Sequence, residues 1–101
     1  MFEPMASPNA RKVVRDTFDW GFISTVSVTD GRKTFETAIK HPEYNGGDMV
    51  IVDCYDTVEE AEAGHRAWVK TMENPPEELI DIANSEIQQA IGKETFKRIP
   101  V

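Results

Sequence analysis

A histidine and several hydroxyl side chains are the groups in this sequence whose types and spacing could support chemistry. His65 falls in the stretch YDTVEEAEAGHRAW, and Ser24 and Thr37 fall in two segments with the composition of β-strands. An imidazole beside a serine or threonine hydroxyl is the pairing found in activated nucleophiles. The same pairing is also an ordinary buried hydrogen bond, because polar groups inside a protein need partners. Which of the two applies depends on the elements that position these residues.

The residues around His65 predict an amphipathic helix with the histidine inside its apolar stripe. A capping box at residues 56–60 starts the helix, which is predicted to run to about Glu73. Gly64 costs about 1 kcal/mol relative to alanine in a helix interior, so its presence predicts a close approach of the helix to a sheet. At 100° per residue, the apolar residues that share the side of His65 are Val58, Ala61, Trp68, Val69 and Met72.

Three segments before the helix have the alternation and composition of strands: residues 17–29, 33–40 and 49–55. Asp30-Gly31 is a strong signal for a two-residue hairpin turn, because glycine tolerates the positive φ that such a turn requires. A two-residue turn here predicts that the first two strands pair as an antiparallel hairpin and that the third strand completes a meander.

The same turn predicts the register of the hairpin. Ser24 would face Thr37 on the side covered by the helix, and Thr25 would face Glu36 on the opposite side. Tyr55 and the odd-numbered residues of the third strand would also lie on the opposite side. His65, Ser24 and Thr37 are therefore expected to meet between helix and sheet.

The sequence NPPE at 74–77 predicts the start of a second helix, with asparagine as the cap and proline in the first turn. This helix would run to about Ile91 and stop at Gly92. The predicted fold class is therefore α+β, with the order β-β-β-α-α and the first helix packed on the sheet. Residues 1–16 are expected to be loosely ordered, and residues 17–101 are expected to form a single domain.

The apolar residues of the outer sheet face predict a further covering layer. They are too apolar to face water, so either the second helix or a second copy of the chain should pack on them. We therefore expect a homo-oligomer. The residues concerned are Ile23, Ala38, Met49 and Ile51.

Composition excludes several classes of function. The chain has 101 residues and a formal net charge of −7, which argues against a nucleic-acid-binding protein. Its one cysteine cannot form an internal disulfide, which fits a reducing compartment. The N-terminus lacks the apolar core of a signal peptide, and no apolar run is long enough to cross a membrane. We expect a cytoplasmic protein without a metal ion or a cofactor, since no spacing of histidine, cysteine and carboxylates matches a metal site.

Three short motifs resemble those of a group of small bacteriophage-encoded proteins. They are ISTV at 23–26, FET at 35–37 and YxTxEEAxxGH at 55–65, followed by Val69. The resemblance covers roughly residues 20–72 and implies a phage protein made in the cytoplasm of a bacterial host; it implies no activity. Members of this group often carry Asp-His and a longer glycine-rich loop after the first strand, whereas Asp30-Gly31 here predicts a tight turn.

We expect a protein that acts by stoichiometric binding rather than an enzyme. One hypothesis is an inhibitor of host defence that sequesters a small, nucleotide-like ligand. An alternative is an acidic interaction module that inhibits a host protein, partly by imitating nucleic acid, and a second alternative is a small hydrolase that uses His65. No direct contact with nucleic acid or a membrane is expected. The candidate ligand-binding residues are His65, Ser24, Thr37, Trp68, Tyr55, Thr25 and Glu36.

Overall fold

A four-stranded antiparallel sheet carries the helix of His65 on one of its faces. The computed structural model describes residues 10–28, 35–82 and 94–101. The sheet has the strand order β1-β2-β3-β4, and two further strands form a separate antiparallel pair. In chain order the elements are β1 (Ala10–Phe18), β2 (Gly21–Val28), β3 (Phe35–Lys40), β4 (Val50–Tyr55), α1 (Val58–Thr71), β5 (Glu78–Asp81) and β6 (Glu94–Lys97).

The predicted order β-β-β-α-α is wrong, although the α+β class is correct. The sequence after NPPE forms strand β5 rather than the start of a second helix, and β5 pairs with β6. Leu79 is buried in the core while its neighbours Glu78 and Ile80 are exposed, which is the alternation of a strand. The predicted continuation of that helix over residues 83–91 lies outside the described residues.

A strand before the predicted meander supplies the fourth member of the sheet. The segment 17–29, predicted as one strand, is divided by a reversal at Asp19-Trp20, and β1 runs antiparallel to β2. Gly21 permits this turn, because its φ is +154° and a Cβ there would overlap the carbonyl oxygen of Lys40. Residues 10–16, expected to be loosely ordered, lie within β1, and residues 1–9 lie outside the described part.

The predicted register of the β2–β3 hairpin is wrong by one residue. Thr25 pairs with Thr37, and Ser24 pairs with Ala38. Because side chains alternate along a strand, this shift exchanges the two faces of β2 and brings Thr25 rather than Ser24 beneath α1. The turn predicted at Asp30-Gly31 lies outside the described residues.

Irregularities in the two outer strands change which of their side chains face the helix. The β3–β4 register shifts between Thr37 and Ala38, so that Asp53 pairs with Thr37 and Tyr55 with Phe35. Asp53 and Tyr55, predicted on the outer face, therefore lie on the side of α1. A second shift, in β1 between Lys12 and Val14, leads to the pairing of Asp16 with Ile23 on the same side.

The helix begins as its sequence predicts. Thr57 is the N-cap, its Oγ1 accepts from the Glu60 amide at 3.1 Å, and the Glu60 carboxylate accepts from the Asp56 amide at 3.3 Å. Gly64 allows the helix to pack on the Tyr55 ring, since a Cβ at this position would overlap the phenol. The predicted close approach of the helix to the sheet is thus confirmed. The main buried apolar cluster consists of Ile23, Ile39, Tyr44, Val50, Val52, Met72 and Leu79.

Candidate functional site

A continuous chain of hydrogen-bonded side chains crosses the interior between the sheet and α1. His65 Nε2 lies 2.8 Å from Asp16 Oδ2, and His65 Nδ1 lies 2.7 Å from Thr25 Oγ1. Thr25 Oγ1 lies 2.6 Å from Thr37 Oγ1, which lies 3.1 Å from the Tyr55 hydroxyl. We call these five residues, contributed by all four strands of the sheet and by the helix, the polar chain.

The donor and acceptor roles along the polar chain are coupled. A carboxylate oxygen accepts, so His65 Nε2 donates to Asp16, and the role of Nδ1 toward Thr25 depends on the form of the imidazole. Either hydroxyl can be the donor in the Thr25–Thr37 pair and in the Thr37–Tyr55 pair. Burial raises the pKa of Tyr55 to about 12; the hydrogen bond with Thr37 acts in the opposite direction, and the negative charge of Asp53 adds to the increase, so the phenol stays protonated at neutral pH.

The polar chain is buried except at Asp16. Thr25 and Thr37 have no exposed surface and His65 is 1 % exposed, whereas half of the Asp16 side-chain surface is accessible. The order carboxylate, imidazole, hydroxyl is that of a catalytic triad. However, a nucleophile needs access to the substrate, and Thr25 presents no surface to one. The geometry therefore favours a structural role for His65, in which every hydroxyl of the chain is paired.

Several predicted site residues lie outside the polar chain. Ser24 and Glu36 lie on the opposite face of the sheet from Thr25 and Thr37, because they alternate with them along β2 and β3. Ser24 is 3 % exposed, and its Oγ has no hydrogen-bond partner among the described residues. Trp68 packs against the core, and its indole Nε1 donates to Asp53 Oδ2 at 3.3 Å.

An open cleft lies beside the closed interior, where the end of β1 meets the end of α1. It has a volume of about 260 Å³ and is lined by Phe18, Trp20, Val69, Met72 and Glu73. We call it the aromatic cleft. The rings of Phe18 and Trp20 stack with centroids 4.7 Å apart and planes 8° apart. Both rings are half-buried, so this surface combines preformed apolar walls with access from solvent.

His41 packs against Trp20, one of the two rings of the aromatic cleft. Its ring lies 4.7 Å from the Trp20 ring and 5.2 Å from that of Tyr44, and its Nδ1 accepts from the Glu43 amide at 3.0 Å. Burial lowers the pKa of His41, the nearby Arg98 lowers it further, and Glu43 acts in the opposite direction. The acceptor role of Nδ1 requires the unprotonated nitrogen, which agrees with the lowered pKa.

We expect the free energy of unfolding to fall as the pH drops below about 6.5, the ordinary pKa of histidine. As the pH falls, the unfolded chain takes up a proton at His41 before the folded chain does. The stability that unprotonated His41 contributes is therefore complete above about pH 6.5 and is lost below it. Urea unfolding at pH 7.5 and 5.5, with His41→Asn as the comparison, measures the effect. An equal pH dependence in the two proteins would exclude His41 as its source.

Negative charge is concentrated in one part of the chain. Residues 48–81, which include β4, α1 and β5, contain ten acidic and two basic side chains, a formal charge of −8, and the remaining residues sum to +1. Among the acidic residues of this segment, the exposed ones are Asp48, Asp56, Glu59, Glu60, Glu62, Glu73, Glu77 and Glu78.

Comparisons with protein-family profiles, with curated proteins and with solved structures found no match to this chain. Within residues 10–28, 35–82 and 94–101, no three histidine, cysteine or carboxylate side chains come together in a way that could hold a metal ion. No helix in the same ranges has the length and apolar character needed to cross a membrane.

The role of Asp16 and the presence of the aromatic cleft were not predicted from the sequence. Asp16 lies 49 residues from its partner His65, in a segment expected to be loosely ordered, so no local pattern pointed to it. The cleft combines residues 18–20 with residues 69–73. The one available signal was the pair of closely spaced aromatic side chains in the stretch TFDWGF, which the interpretation assigned to a strand.

Proposed function

We propose that this protein acts by stoichiometric binding of a small ligand and that the aromatic cleft is the binding site. The proposal rests on the contrast between the polar chain, which is largely closed to solvent, and the aromatic cleft, which is open to solvent. Binding sites for small molecules are concave and mostly apolar, with a few polar groups that fix orientation. The cleft has this composition, and its volume of about 260 Å³ fits a ligand the size of one substituted ring.

The resemblance to phage-encoded proteins supports a biological setting for this proposal. A phage protein that binds a host metabolite or signal one-to-one can remove it from the infected cell without catalysis. A nucleotide would place its base in the cleft. Its phosphate would then lie near Glu73, so like-charge repulsion disfavours that ligand.

We expect 2-phenylethanol, a neutral single-ring probe, to bind the cleft saturably with a Kd on the order of 1 mM. The chain has two tryptophans, so Trp68→Phe leaves Trp20 as the sole tryptophan reporter. Its fluorescence should change on titration, because Trp20 lines the cleft. Val69→Phe, which fills the cleft, should weaken binding at least about fivefold, a free-energy change of about 1 kcal/mol.

The matched control is Trp20→Phe, in which the remaining Trp68 lies in the core beside Asp53 and should report little change. No saturable signal from Trp20, or equal binding in the Val69→Phe protein, would contradict the proposal. Circular dichroism on each variant establishes that it is folded before the titration is interpreted.

The charge distribution favours a second candidate, namely binding to a basic surface of a partner protein. Residues 48–81 expose eight carboxylates, and such a surface attracts cationic partners in a salt-dependent way. Polylysine added in place of 2-phenylethanol distinguishes the two. If polylysine binds, 0.5 M salt abolishes this binding and 2-phenylethanol gives no response, the result favours this candidate over the cleft.

A further inference from the structure

We propose that the ligand of the aromatic cleft carries an organic ammonium group attached to its apolar body. The inference rests on the proposed binding function and specifies the chemical class of ligand that the same site accepts. Three features of the cleft, each independent of the others, favour positive charge there: an uncompensated carboxylate, the end of a helix and two aromatic rings.

Glu73 is the carboxylate, and among the described residues that line the cleft it is the only charged one. Its side chain is exposed, and in the part of the chain that the structure describes no cation lies within 4.0 Å of it. Lys70, three residues earlier on α1, is close enough in sequence to pair with it but does not do so. An ammonium group of a ligand would therefore meet a carboxylate that forms no ion pair with the described residues.

The C-terminal end of α1 forms one wall of the cleft. The helix ends at Thr71 with its C-cap at Met72, so Val69, Met72 and Glu73 all lie at or just beyond its last turn. The aligned peptide dipoles of a helix place roughly half a negative elementary charge at this end. The backbone field therefore acts in the same direction as the Glu73 carboxylate.

The aromatic rings supply the third feature. Phe18 and Trp20 line the cleft with half-buried rings, and aromatic rings attract ammonium groups through the negative potential of their faces. Because the two rings stack on each other and Trp20 also contacts the His41 ring, this attraction would act through the outer face of Phe18. The apolar body of the ligand would pack on Val69 and Met72, of which Met72 is 4 % exposed. Apolar walls with negative charge at one rim are the complement of an aryl- or alkylammonium ion, and they disfavour a carboxylate or phosphate ligand.

Three probes that share a phenyl ring and differ in charge test this inference: phenethylammonium, 2-phenylethanol and phenylacetate. In the Trp68→Phe protein we expect phenethylammonium to bind at least about fivefold more tightly than the alcohol, and phenylacetate to bind more weakly than either. Glu73→Gln should remove most of the preference for the cation, taken as the ratio of the affinities for the cation and the alcohol in the same variant, because the charged contact is lost.

Glu62→Gln is the matched control. Glu62 is an exposed carboxylate on α1, roughly 14 Å along the helix axis from the helix end at Thr71, and its neutralisation should leave the preference unchanged. If the alcohol binds and the cation binds no more tightly, the ammonium inference is overturned while the binding function stands. If none of the probes binds, both fail. A preference that persists fully in Glu73→Gln would also overturn the assignment.

Discussion

Gly64→Ala is expected to lower the free energy of unfolding by about 2–3 kcal/mol, because the added Cβ would overlap the Tyr55 phenol where α1 packs on β4. Helix propensity alone predicts the opposite sign, a stabilisation of about 1 kcal/mol when alanine replaces glycine inside a helix. Urea denaturation of the variant and of the unmodified protein measures the difference. The sign of the change therefore tells whether close packing or propensity governs this position.

Two comparisons make the Gly64→Ala experiment specific. Ala63→Gly, at an exposed neighbouring position, should cost about 1 kcal/mol through propensity alone. In a background of Tyr55→Leu, which removes the phenol, the cost of Gly64→Ala should largely disappear, and a double-mutant cycle gives that coupling directly. A stabilised Gly64→Ala protein would contradict the close contact between helix and sheet.

His65→Leu is expected to lower the free energy of unfolding by about 2–3 kcal/mol, because the buried Thr25 hydroxyl then loses its hydrogen bond to the imidazole. Asp16 contributes less to this cost, since half of its side-chain surface is accessible to water. Adding Thr25→Val to His65→Leu should recover part of the loss, because both partners of that hydrogen bond are then apolar, while the Thr37 hydroxyl loses Thr25 and keeps the Tyr55 hydroxyl as its partner. Chemical denaturation of the three variants provides the test.

His65→Gln separates the structural role of the histidine from a role in ligand binding. Glutamine keeps a hydrogen-bonding side chain at this position, so the cost in stability should be smaller than that of His65→Leu. The folded variant should still bind 2-phenylethanol in the aromatic cleft. A variant that is folded and has lost this binding would instead make His65 part of the ligand site.

The part of the fold that could be predicted from sequence is the part with strong local signals. Thr57 and Glu60 form the predicted cap, Gly64 faces the sheet as expected, and His65 lies within the buried stripe. These features depend on residues within one helix, where the side-chain period is short and fixed. The existence of strands β3 and β4 also followed from local composition.

The register of β2 could not be read from its sequence. The segment ISTVSV has small or β-branched side chains on both faces, so the alternation that normally distinguishes inside from outside is weak. The prediction depended instead on one assumed turn. The bulge that brings Asp53 and Tyr55 to the helix side leaves no clear local signal either, because a bulge adds one residue to an otherwise ordinary strand.

The region of strand β5 was predicted as a helix because the residues just before the strand resemble a helix N-terminus. An asparagine followed by prolines and a glutamate fits a cap, yet the backbone at Pro76 instead accepts a hydrogen bond from the Tyr44 hydroxyl. Leu79 then enters the core as one member of an alternating strand. The strand conformation of β5 depends on contacts between residues about 30 or more positions apart in the sequence, and local propensity does not reflect such contacts.

We expect the ligand to bind in the aromatic cleft and the polar chain to have a structural role. NMR mapping of probe binding tests both expectations most directly. Phenethylammonium titrated into the ¹⁵N-labelled protein should shift the amide signals of residues 18–20 and 69–73 and the indole signal of Trp20. The amide signals of Thr25, Thr37 and His65 should shift little. Shifts centred on those three residues, with residues 69–73 unaffected, would contradict the account.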